Sequence, residues 1–144
     1  MITLNFSIQI NATPEKVWHS ITDPEKYKLW TKPFSEGSYY KTDSFTEGSK
    51  IHFLTPEGHG MFSLIDSLKE NQFVAFKHLG EIKNFEEIQE TQSWTGAMET
   101  YILNKTQTGT EVFVKLDTLE SDIDSMNKAF PQALQELKHI SENQ

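Results

Sequence analysis

The chain has 144 residues, one domain's worth of sequence, with 36% hydrophobic and 12% aromatic residues to build a core. Thirteen basic against twenty-one acidic residues leave a net charge of −8, which argues against nucleic acid and anionic membranes as partners. The absence of cysteine excludes disulfides, thiol catalysis, iron–sulfur clusters and Cys-based zinc sites. No apolar run approaches the ~20 residues that span a bilayer, and no leader pattern opens the chain, so the expectation is a soluble cytoplasmic protein without membrane insertion.

Ile2, Leu4, Phe6, Ile8 and Ile10 alternate with polar residues, the period of a half-buried strand. Thr13-Pro14-Glu15 reads as a helix start, with a capping hydroxyl, a proline suited to the first turn and an acid that complements the helix dipole. Asp23-Pro24-Glu25 repeats that signal and predicts a second short helix carrying Tyr27, Leu29 and Trp30, stopping before Pro33.

From Gly37 onward β-branched and aromatic residues predict strands over 38–41, 50–54, 60–68, 73–79, 95–103 and 111–118, joined by short turns that favour antiparallel neighbours. Residues 81–92, rich in Glu and Gln, read instead as a long loop over the sheet, with a short helix as the alternative. Ser121-Asp122-Ile123-Asp124 resembles a capping box. The stripe Ile123, Met126, Phe130, Ala133, Leu134, Leu137 and Ile140 then predicts an amphipathic helix of roughly 30 Å, kinked or divided by Pro131.

This order is strand, two short helices, six strands, long helix: an α+β, β-α-α-β6-α arrangement. The economical packing curls an antiparallel seven-stranded sheet around the C-terminal helix, forming a single domain over 1–144. A curved sheet and a straight rod do not fit flush, so large side chains fill the gap or a cavity remains.

The chain also resembles a known superfamily. Residues 10–18 (Ile10-Asn11-Ala12-Thr13-Pro14-Glu15-Lys16-Val17-Trp18), then Thr22-Asp23-Pro24-Glu25 and Trp30, look like the opening of START-like (SRPBCC) helix-grip proteins. They resemble in particular the branch homologous to the activator of heat-shock protein ninety ATPase. Gly48 before Ile51 and Phe53, Gly60-Met61-Phe62, Phe73-Val74-Ala75-Phe76, Tyr101 with Leu103, Gly109-Thr110 and Phe130-Pro131-Gln132-Ala133-Leu134 extend the likeness along nearly the whole chain. The resemblance implies the helix-grip fold and a small hydrophobic ligand between sheet and long helix. Eukaryotic activators bind a chaperone through a protein that carries a further N-terminal domain. A chaperone partner is therefore the lesser expectation here.

The chemistry-bearing residues are few. The five histidines have no zinc-ligand spacing, no Gly-rich phosphate loop or Gly-x-Ser-x-Gly elbow occurs, and no metal, cofactor or catalytic set is expected. His52 and His78 lie mid-strand and either one facing inward would meet a ligand. Glu99 shares a strand face with Tyr101 and Leu103; turned inward it forms with Tyr101 a polar anchor in an apolar pocket, while a register shifted by one residue exposes it. Trp30, Phe34, Phe53, Phe76, Trp94, Tyr101, Met126 and Phe130 are the aromatic and apolar residues expected to converge on the concave space, with His78 and Glu99 as its polar groups. Pro33, Phe34 and residues 81–93 are the expected gate. Three functions follow: a binding module for a hydrophobic or aromatic molecule, an enzyme using His52, His78 or Glu99 as acid or base, and a protein-interaction module acting through its sheet and acidic surface.

Overall fold

The N-terminal alternation becomes strand β1 (Ile2–Ile10) in the computed structural model, which describes residues 1–144; its even residues turn toward the core and its odd ones lie exposed. Both proline-led helices form. In α1 (Pro14–Thr22) the Thr13 hydroxyl accepts from the Lys16 amide, and in α2 (Pro24–Trp30) the Asp23 carboxylate accepts from the Lys26 amide at 3.1 Å. Trp30 is buried, but Leu29 is 47% exposed: in so short a helix, only Tyr27 and Trp30 of the three expected residues share the inner side.

Then come β2 (Tyr39–Lys41), β3 (Lys50–Leu54), β4 (Gly60–Lys69), β5 (Phe73–Lys83), β6 (Glu86–Glu87), β7 (Met98–Lys105), β8 (Thr110–Thr118) and α3 (Ile123–Glu142). Every pairing is antiparallel, in the order β1-β8-β7-β5-β4-β3-β2, with β6 paired to the far end of β5. The α+β helix-grip arrangement is therefore the fold, with α3 packed against β1, α1 and α2.

Three local expectations are corrected. Residues 81–92 are not simply a loop: β5 continues to Lys83, turns at Asn84 and Phe85, both at positive φ, and returns as β6, an eighth strand. Positive φ at both central residues is the geometry of a tight hairpin turn, which Asn tolerates and Phe does not favour. The capping box does not form. A 3₁₀ turn over Glu120–Asp122 leads directly into α3, and Asp122 sits in helical φ/ψ, where its side chain makes no capping bond. Of the two outcomes expected at Pro131, division does not occur: α3 is one helix of 20 residues held by its buried stripe of Phe130, Ala133, Leu134 and Leu137. None of the helices is long and apolar enough to cross a membrane.

The pairing of β4 with β5 slips twice, at Phe62/Ser63 and at Ile65/Ser67. Such bulges bend and twist a sheet. The first leaves Leu79 unpaired and sets Ser63 opposite His78, while Phe62 is opposite Gly80. A Cβ on Gly80 would stand 2.5 Å from the Phe62 ring, so glycine is what lets that ring lie flat on the sheet's outer side.

Candidate functional site

The core between sheet and α3 is continuous where Ile10, Val112, Val114, Leu134 and Leu137 pack, all nearly inaccessible. It opens toward the other end into a cavity of about 340 Å³. That is within the range of small-molecule sites. Of its 28 lining residues 18 are hydrophobic.

All ten residues singled out from the sequence border this space. Helix α2 and its exit supply Trp30 and Phe34, β3 supplies Phe53, and β5 supplies Phe76 and His78. The segment before β7 brings Trp94, β7 itself Glu99 and Tyr101, and α3 the half-buried Met126 and the buried Phe130. The rings meet edge to face: Phe53 with Phe76 at 5.2 Å, Trp30 with Tyr101 at 5.9 Å, and Phe34 with Phe130 at 4.7 Å. His52, the other mid-strand histidine, does not take part. It points to the outer face and meets Glu87 of β6 at 2.8 Å, where Lys50 also holds that carboxylate. Parity along β3 decides this, since Phe53 is turned inward.

The polar unit of the cavity is a chain of four side chains. Ser63 Oγ lies 2.6 Å from His78 Nδ1, His78 Nε2 lies 3.0 Å from Glu99 Oε1, and the Tyr101 hydroxyl donates to Glu99 Oε2 at 2.5 Å. Burial pushes the Glu99 carboxyl up, but the hydrogen bond and positive charge of His78 and the Tyr101 hydroxyl outweigh it, and the net shift is down. Tyr101 is pushed well up, by burial first and then by the Glu99 charge, and Tyr27 is raised for the same two reasons. Both phenols therefore stay protonated, and Tyr101 gives its proton's hydrogen bond to Glu99.

Ser63 is fully buried on the far side of the imidazole and does not border the cavity. A serine, a histidine and a carboxylate in series suggest nucleophilic catalysis, but this hydroxyl has no access to a substrate; it orients the ring instead. With no other hydrogen-bond partner, the Ser63 proton goes to Nδ1, which puts the ring proton on Nε2, facing Glu99. One further polar group is unspent: the Trp30 indole N–H is buried without a partner.

Sequence reasoning missed Tyr27, Tyr40 and Phe45 as lining residues, and Ser63 altogether. Tyr40 donates to the carbonyl of Thr22 and stacks edge-on with Tyr27 at 5.1 Å, tying β2 to α1 and α2. A serine in mid-strand carries no signal of its own. No group of carboxylates and histidines has the geometry of a metal site.

Fold and cavity together define a START-like helix-grip protein. The chain matches the activator of Hsp90 ATPase homolog 1-like proteins over residues 11–142, and it belongs to that family. Solved structures that it resembles include protein MLL2253 from Mesorhizobium loti, at TM-score 0.76 and 16% identity over 99% of this chain and 98% of that one. The Aha1 dimer from Colwellia psychrerythraea follows at TM-score 0.74 and 23% identity, covering 99% and 97%. DynU16, described as a protein in the dynemicin biosynthetic locus, has TM-score 0.68 at 13% identity, covering 95% of this chain and 46% of that one. These identities speak for the fold alone. Among curated proteins, none matches the chain in sequence.

Proposed function

We propose that the protein binds a hydrophobic or aromatic small molecule in the cavity between sheet and α3, with Trp30, Phe53, Phe76, Met126 and Phe130 as apolar walls and Glu99, His78 and Tyr101 as the polar anchor. The observation that carries this reading is the combination of an aromatic-lined space of about 340 Å³ with one hydrogen-bonded polar unit in its wall. Burying a charged carboxylate there is costly, and the fold compensates it with two dedicated donors rather than replacing it by an apolar residue. The gate in this reading is Phe34 with the segment leading to Trp94. DynU16's setting in a biosynthetic locus accords with handling of a small molecule.

The test is a titration of isotope-labelled protein with a neutral probe, 2-naphthylethanol. Shifts confined to cavity residues support the reading; no shifts up to the probe's solubility limit, together with native mass spectra free of any bound molecule, overturn it. A second reading, acid–base catalysis on the same guest, is favoured by the His78–Glu99 contact inside the cavity. Turnover that disappears in H78Q would distinguish it from binding alone. The exposed large apolar side chains are three, Met1 before β1, Leu29 on α2 and Phe85 in the β5–β6 turn, and they give a chaperone or other protein partner less support.

A further inference from the structure

The walls of this cavity have a one-sided charge. Two carboxylates border it, Glu99 inside and Asp122 where β8 passes into α3; the Asp117 carboxylate turns to the outer face, where Thr3 and the Met98 amide donate to it. No lysine or arginine borders it; His59 and His78 are its only basic groups. The hydrogen bonds of His78 and Tyr101 converge on the Glu99 carboxylate, the one formal acid within the ring wall. Around that charge stand the rings of Tyr27, Trp30, Phe53, Phe76 and Tyr101. Aromatic faces are regions of partial negative charge, which attract organic cations and repel anions. A carboxylate-bearing guest such as a fatty acid would meet repulsion with no lysine or arginine to receive it.

We infer that the guest of this cavity is cationic: an aromatic or hydrophobic amine whose ammonium sits against Glu99 within the ring wall. The inference rests on the apolar-guest reading and narrows it to one chemical class. Glu99 has acceptor capacity left, since each of its oxygens receives a single hydrogen bond from the chain and has a second lone pair. A primary ammonium supplies the further donor. Asp122 at the margin, on a protein of net charge −8, draws the same class of molecule toward the opening.

The experiment compares three probes of one ring system: 2-naphthylethylamine, 2-naphthylethanol and 2-naphthylacetate, each titrated calorimetrically into the full chain at neutral pH. The amine is expected to bind about tenfold more tightly than the alcohol, and the acetate more weakly than either. In E99Q the amine's advantage over the alcohol is expected to vanish. An alcohol or acetate that binds as well as the amine overturns the cationic assignment while leaving an apolar guest intact. Failure of all three overturns both. The wild-type comparison decides the matter even if E99Q does not fold.

Discussion

His78 and Glu99 are diagonal neighbours on β5 and β7, and their side chains meet Nε2 to Oε1 at 3.0 Å although the ladder pairs Glu99 with Phe76. Alternation along β5 turns Phe76 and His78 to the same inner face as Glu99, and the bulge at Leu79 shifts the pairing of β5 with β4 by one residue just beyond His78.

That contact makes stability depend on pH in a defined direction. The Glu99 carboxyl titrates below its ordinary value of 4.5 in the folded chain and at the ordinary value when unfolded. Between the two, the unfolded state binds more protons, so stability rises with pH; the contribution is complete above the ordinary value and is lost as pH falls through the folded one. Urea midpoints of wild type and E99Q, followed from about pH 6 to about pH 3, should converge in acid. A gap that stays constant would show that Glu99 is not held ionised.

Removing one partner should cost more than removing both. H78L leaves a buried carboxylate without its main donor and is expected to destabilise by about 3 kcal/mol. Adding E99L should recover most of that loss, since an apolar pair needs no compensation there. Denaturant unfolding of the two variants checks the order.

Ser63→Ala removes the hydroxyl behind the ring. The expected loss is about 1 kcal/mol, as a buried acceptor is left without its donor. Nitrogen-15 spectra should show wild-type His78 with its proton on Nε2 alone, and a mixture of tautomers in the variant.

Gly60 opens β4 beside the cavity wall, and a Cβ there would stand 1.8 Å from the Phe53 carbonyl oxygen. Backbone cannot step aside as a flexible side chain can, so G60A should cost about 3 kcal/mol. At Gly48, φ +91° with open space around it, G48A should cost only about 1 kcal/mol through backbone strain. Melting temperatures of the pair test this ranking.

Met126 is half-buried on the cavity side of α3, one turn from Phe130. M126W should fill the space without disturbing the stripe at Ala133, Leu134 and Leu137. Affinity for 2-naphthylethanol should fall about tenfold with melting temperature preserved; undiminished affinity would place the guest elsewhere.

The readings that held were carried by local physics. A period of two over residues 2–10 makes a strand, and Thr13-Pro14 and Asp23-Pro24 start helices by capping. Glu99 on the face of Tyr101 follows from strand alternation, though the chain alone left its register open by one residue. The misreadings share a cause. Glu86 and Glu87 are poor strand formers, yet Asn84 and Phe85 turn the chain back onto β5, where Glu87 is held by Lys50 and His52. Ser121 was a cap by composition, but it lies inside the 3₁₀ turn that leads directly into α3.

Amino-acid order by itself determined the succession of elements, their inner faces and the aromatic supply for an interior, because periodicity and capping act over a few residues. Only the folded chain decided that His78 and not His52 faces the cavity, that Ser63 stands behind it, and that no lysine borders the space. Those outcomes depend on strand register, on one bulge and on segments far apart in the chain meeting in space, none of which leaves a mark in local sequence.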